Sequence, residues 1–157
     1  ARLCNEQYNK VRDEVLRAHP WNFALKRASL GTLTTTPLFE YDYEFQLPSD
    51  CLRVLSLHDN TILWAIEADR KLLSDSSEVK IKYISRVTAT AEYDSQFLEA
   101  LSFRLAADLS YSLVQSSALS QNLLAEYESV LSAARSIDAQ EGTPPDLIDD
   151  SFVESRL

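Results

Sequence analysis

Three carboxylates in an alternating stretch are the first residues of this chain that could do chemistry. Glu40, Asp42 and Glu44 lie two residues apart, so on a strand they share one face at intervals of about 7 Å. Glycoside hydrolases use two carboxylates about 5 to 9.5 Å apart. The spacing permits a cell-wall or polysaccharide hydrolase. A solvated face paired with Lys80 and Lys82, or an acidic channel lining, gives the same pattern.

The remaining residue types offer little catalytic chemistry. His19 and His58 have no acidic residue or cysteine at a metal-ligand spacing, and neither HExxH nor CxxC occurs. With only Gly31 and Gly142, a glycine-rich phosphate loop is excluded. No G-x-S-x-G nucleophile elbow is present. We therefore expect no metal, no cofactor and no enzymatic activity.

Composition and charge restrict the class of protein. The chain has 157 residues, 45% of them hydrophobic, which fits one domain with a fair core. The net charge of −9 argues against a protein that grips nucleic-acid phosphates, although DNA could slide past such a surface. No apolar run approaches membrane-spanning length, so we expect no membrane partner. Because methionine is absent even at position 1, we expect residue 1 to lie inside a longer natural chain.

The N-terminal third predicts two helices that meet at an aromatic corner. Apolar residues at helical spacing over residues 2–18 predict an amphipathic helix that stops before Pro20. Pro20 suits the first turn of a second, short helix that continues to about Ala28. Pro20, Trp21 and Phe23 are expected to form a fixed structural joint, since large aromatic side chains are costly to leave in water.

The middle of the chain has the period of β-strands. Alternation is strictest over residues 39–47, which predicts a strand with one aromatic, buried face and one acidic, solvated face. Four shorter strands are predicted at residues 53–57, 62–67, 71–73 and 78–84. Tight turns between them indicate a small antiparallel sheet.

The helical period returns in the C-terminal half. Asp94 is the expected N-cap of a helix that is apolar on nearly all sides between residues 97 and 114. Such a helix is buried all round or packs against a neighbouring subunit, which favours oligomerisation. A further helix is predicted over residues 118–140, and the Gly-Thr-Pro-Pro sequence at 142–145 ends it.

These elements predict a mainly α, α+β fold. Residues 1–31 and 94–141 would form an antiparallel helical bundle, residues 32–93 an inserted small antiparallel β-sheet subdomain, and residues 142–157 an extended C-terminal arm. The composition of the arm fits a segment that orders against a partner, or one that stays unstructured. The candidate contact residues of the arm are Leu147, Ile148, Phe152, Val153, Arg156 and Leu157.

The order of these segments resembles the tail tubular protein A family of short-tailed bacteriophages, the head-to-tail adaptors. The resemblance covers nearly the whole chain and is most specific at the Pro-Trp-Asn-Phe corner, residues 20–23, and at the Leu-Pro-Ser-Asp-Cys-Leu-Arg-Val turn, residues 47–54. It extends to the strand at 79–84, to residues 97–107 and to the Asp-Ala-Gln-Glu sequence at 138–141. The family usually has a further N-terminal helix that is missing here.

The resemblance implies a structural virion protein that assembles in the host cytoplasm. It implies a homo-oligomeric, dodecameric ring beneath the portal protein, with the tail nozzle protein docked below and the arm at 142–157 reaching along the portal. DNA would pass through the ring without specific binding, which suits the net charge of −9. The alternatives are the tail-associated hydrolase described above and a helical interaction module with no viral role.

Overall fold

The computed structural model describes residues 2–138 and residue 140. The portal-contacting arm predicted at residues 142–157 therefore lies outside the described residues. The elements, in chain order, are α1 (Arg2–Ala18), β1 (Leu25–Leu30), β2 (Tyr43–Gln46), β3 (Cys51–Leu57), β4 (Trp64–Glu67), β5 (Lys71–Ser74), β6 (Val79–Ser85), α2 (Ser95–Val114) and α3 (Ser117–Asp138).

The six strands of the described region form two antiparallel sheets of three strands each. Sheet A has the order β1-β6-β3, and sheet B has the order β2-β5-β4. The helices pack together as α1 on α2 and α2 on α3, and α1 also contacts β3 and β6. The fold is thus mixed α+β, and the predicted helical bundle with an inserted β subdomain is wrong. Sheet A is not an insertion, because the helices and sheet B share it as a common layer.

Two hydrophobic cores lie on the two sides of sheet A. The β core fills the space between the sheets, and the helical core lies between the helices and one end of the other face of sheet A. The buried residues of the β core are Phe45, Leu47, Cys51, Leu57, Leu72, Val79, Ile81 and Tyr83. Those of the helical core include Val11, Val15, Leu16, Trp21, Ile84, Phe97, Leu101, Tyr127 and Leu131.

The helix predicted from Pro20 to Ala28 is wrong, whereas the helix predicted at residues 2–18 is confirmed as α1. A single 3-10 turn at Asn22–Ala24 follows the corner, and the chain then enters β1. Every residue of β1 pairs with β6, from Leu25 opposite Ile84 to Leu30 opposite Val79. An isolated helix this short is marginal, so pairing with a distant strand decides the structure of the segment.

The nine-residue strand predicted at 39–47 is also wrong in extent, because β2 covers Tyr43–Gln46 alone. Its partner β5 ends at Ser74, which is paired with Tyr43, so the preceding residues have no strand to pair with. Phe39 was expected to be buried, yet it is 74% exposed, and Glu40 has a positive φ of 72°. Local alternation therefore overstated the length of the strand.

The start of α2 was predicted correctly. The backbone amide of Phe97 donates to Oδ1 of Asp94 at 2.6 Å, which is the hydrogen bond of an N-cap. The expectation that α2 is buried on all sides does not hold within this subunit. Leu98 and Leu113 lie on its surface with 44% and 69% of their area exposed.

The aromatic corner joins the end of α1 to the start of α2. Trp21 is 1% exposed, and its Nε1 donates a hydrogen bond to the carbonyl oxygen of Val15 at 2.9 Å. Its ring meets that of Phe97 edge to face, with 5.3 Å between centroids, and lies 6.4 Å from the ring of Phe23. Pro20 is exposed. Trp21 thus fixes two helices through one hydrogen bond and a set of aromatic contacts.

Substitution of Trp21 by alanine should lower the free energy of unfolding by about 3 to 5 kcal/mol, the range for truncating a large buried aromatic side chain. Urea denaturation followed by circular dichroism measures the loss. Trp64→Ala is the matched control, since Trp64 is half-buried and its removal should cost less. A loss below about 1 kcal/mol for Trp21→Ala would contradict its role as the central packing residue of the corner.

Candidate interaction surfaces

The structure separates the three carboxylates that the sequence placed on one strand face. Only Glu44 lies in a strand, where its Oε2 is 2.9 Å from Nζ of Lys71 and accepts a hydrogen bond from Thr35 Oγ1 at 2.8 Å. Glu40 and Asp42 lie in the exposed loop before β2. The expected alternating row of carboxylates on one strand is therefore absent from this part of the chain.

The expected pairing of these carboxylates with Lys80 and Lys82 is replaced by other ion pairs. Lys71 is the cation beside Glu44, while Lys80 lies 2.7 Å from Glu78 on its own strand. The hydrogen bond from Lys71 holds the pKa of Glu44 below its ordinary value, and the same contact raises the pKa of Lys71. Glu44 therefore stays ionised as one half of a contact between β2 and β5.

The two histidines occupy different environments. His19 is buried, with its ring edge-on to Trp21 at 4.8 Å. His58 is exposed at the end of β3, where its backbone amide donates to Lys80 and its Nδ1 accepts from the backbone amide of Lys80 at 3.3 Å. Within residues 2–138 and 140, no group of three His, Cys, Asp or Glu side chains could hold a metal ion.

A basic groove crosses the part of sheet A that the helices leave uncovered. Its volume is about 450 Å³. Backbone pairing arranges it in rows, since residues directly opposite one another share a face. In the first row, Lys82 on β6 lies between Arg27 on β1 and Ser56 on β3. In the next row, Ser29 on β1 is opposite Lys80 on β6. The polar lining of the groove is completed by His58.

The groove concentrates positive charge in an otherwise acidic protein. Arg27 and Lys82 have no ion pair among the residues that the structure describes, and they lie directly opposite each other. Like charges directly opposite each other destabilise a sheet, so the pairing of Arg27 with Lys82 does not contribute to the stability of the fold. Lys80 has one partner, Glu78, at the exposed rim. Sequence reasoning missed the groove because it assigned Arg27 to a helix.

A second surface, the hairpin tip, lies where α2 meets α3. It consists of Leu113, Val114, Leu119 and Leu124, whose exposed fractions are 69%, 64%, 41% and 38%. None of the first ten residues of α3 is buried, so this end of the hairpin extends beyond the helical core. Four large apolar side chains exposed at one end of the hairpin are a candidate contact for another protein surface.

No family model and no curated protein matches this chain. Among the described helices, none combines the length and apolar character needed to cross a lipid bilayer. The candidate binding surfaces are those that the described structure presents, namely the basic groove and the hairpin tip.

Replacement of Lys71 by methionine should raise the titration midpoint of Glu44 toward its ordinary 4.5. Because the folded-state pKa of Glu44 is lowered, its contribution to stability is present above pH 4.5 and is lost as the pH falls through the lower folded value. The stability advantage of the native chain over Lys71→Met should therefore shrink below pH 4.5. Carboxyl NMR titration measures the midpoint. Lys82→Met is the control, and an equal shift in both variants would contradict the assignment.

Proposed function

We propose that this chain is a structural subunit of a head-to-tail adaptor in a short-tailed phage virion. In this proposal it assembles as a ring, of twelve copies by resemblance to the family, between the portal and the tail nozzle, and DNA passes through it. The sequence resemblance supplies the identity of the complex. The hairpin tip is the structural observation that supports an assembly of subunits.

The tip supports assembly because no part of the chain that the structure describes covers its apolar side chains. The adjoining end of α2 was expected from sequence to be buried, and Leu113 and Val114 remain mostly exposed there. Packing against a neighbouring subunit would remove this apolar area from water, which is the dominant favourable term in most protein association.

A ring needs two different surfaces on each subunit, because its interfaces are heterologous. A second apolar pair, Leu98 and Ile137, is exposed near the opposite end of the hairpin, 44% in each case. If the tip of each subunit contacts this second region of the next subunit, the copies are joined head to tail, as in a ring. The hairpin thus exposes apolar side chains near both of its ends, which suits such a contact.

The acidic character of the chain supports passage of DNA without retention. A net charge of −9 on each copy would accumulate around a ring and repel phosphates from its lining. The arm at residues 142–157 would contact the portal through Leu147, Ile148, Phe152, Val153, Arg156 and Leu157, as the family resemblance implies.

Introducing charge at the tip should prevent assembly and leave the fold intact. We expect Leu113→Glu/Leu119→Glu to remain a folded monomer and to lose ring formation on portals encoded by the same genome, because buried unpaired carboxylates are costly at an interface. Sedimentation velocity and negative-stain electron microscopy measure assembly. Leu63→Glu is the control, since Leu63 is 72% exposed in the loop before β4. Full assembly by the double variant would count against the tip as an interface.

Removal of residues 142–157 should leave a folded protein that no longer binds portal rings. Circular dichroism tests the fold, and co-sedimentation with portal tests the binding. The full-length chain serves as the control in the same gradient. Undiminished co-sedimentation of the truncated chain would show that the arm does not make the portal contact.

A further inference from the structure

Sheet A has one face toward the β core and one toward the helices. The helices cover only one end of that second face, and the basic groove lies on the rest of it. Beside the covered end, Leu25 and Ile84 lie opposite each other, and Ile84 is fully buried in the helical core. One row further along the strands, the same face presents Arg27 and Lys82, and the next presents Lys80. The face changes from apolar to basic at the point where its cover ends.

The side chains that line the groove are of the types that bind anionic groups. Arg27 offers a planar fork of donors, which suits a carboxylate, and Lys82 lies directly across from it. Ser29 and Ser56, whose hydroxyl groups can also donate hydrogen bonds, line the groove with these cations. Cations and hydroxyls from three strands thus converge on one surface, while Glu78 at the rim pairs with Lys80 alone.

We propose that the groove is the docking site of residues 141–157 of this chain. That segment carries five carboxylates, at positions 141, 146, 149, 150 and 154, and one basic residue, Arg156. Its charge is opposite to that of the groove. The proposal concerns the free subunit, before the same segment leaves the groove to contact the portal, and its test does not depend on the adaptor function.

The segment is long enough to reach the groove from the end of α3. Seventeen residues span up to about 55 Å when extended, whereas a domain of this length is about 40 Å across. Ala134 is buried in the same helical core as Trp21, and Trp21 precedes β1 by a few residues. The end of α3 therefore lies on the side of the molecule where β1 begins, and a segment that continues from it is long enough to reach Arg27 and Ser29.

A tethered acidic segment is favoured over a free polyanion. The tether gives the segment a high local concentration at the groove, on the order of millimolar for a short flexible connection. A nucleic acid approaching from solution meets a molecule with a net charge of −9, which lowers its affinity for a small basic surface.

Charge reversal on each side, and on both together, tests the docking in the full-length chain. The groove variant is Lys80→Glu/Lys82→Glu, the segment variant is Asp149→Lys/Asp150→Lys, and the third protein carries all four changes. The readout is the rate of chymotrypsin cleavage after Phe152 at low salt. We expect cleavage to be about tenfold faster in each double variant and to return toward the native rate in the fourfold variant.

Lys10→Glu/Arg17→Glu on α1 is the matched control, because it changes the net charge equally at two exposed positions away from the groove. If Lys80→Glu/Lys82→Glu is not folded by circular dichroism, Lys80→Gln/Lys82→Gln replaces it. Equal cleavage rates in all proteins, or no recovery in the fourfold variant, would overturn the proposal. So would tight binding of single-stranded DNA that is lost on Lys80→Glu/Lys82→Glu and unaffected by Asp149→Lys/Asp150→Lys.

Discussion

The two faces of β6 set the constraint on which the rest of the structure depends. As the central strand of sheet A, β6 sends Val79, Ile81 and Tyr83 into the β core. A strand alternates its side chains, so the residues between them must face the other way. On that face Ile84 is covered by helices, while Lys80 and Lys82 are not. One strand therefore joins both cores and also supplies two cations of the basic groove.

The aromatic corner decides which part of sheet A the helices cover. Trp21 is tied to α1 through the carbonyl of Val15 and packs on Phe97 at the start of α2. The corner leads directly into β1, so α1 and α2 lie against the end of the sheet where that strand begins. The far end of the α2–α3 hairpin is left without support from the core, and its apolar side chains face outward. The basic groove and the exposed tip are two results of this one placement.

Sequence patterns predicted the elements whose structure is set locally. The amphipathic period of α1, the N-cap at Asp94 and the alternation of β6 are all confirmed. The wrong predictions concern segments whose secondary structure depends on pairing with a strand distant in sequence. β1 is a strand because β6 pairs with it, and β2 is short because β5 ends at Ser74. Predicting the groove would have required knowing that Arg27 lies opposite Lys82, and no local sequence pattern contains that pairing. The alternation of Lys80 and Lys82 with apolar residues was the available signal, but the strands that pair with β6 were not predicted.

The central claim is that this chain is a ring subunit held between portal and tail. Its most direct test is electron cryomicroscopy of the full-length chain mixed with portal rings and nozzle protein from the same genome. The account predicts a ring of identical subunits below the portal, with the tip at Leu113 and Leu119 in contact with the neighbouring copy. Portal rings that carry no density for this chain, or single subunits bound without mutual contact, would contradict it.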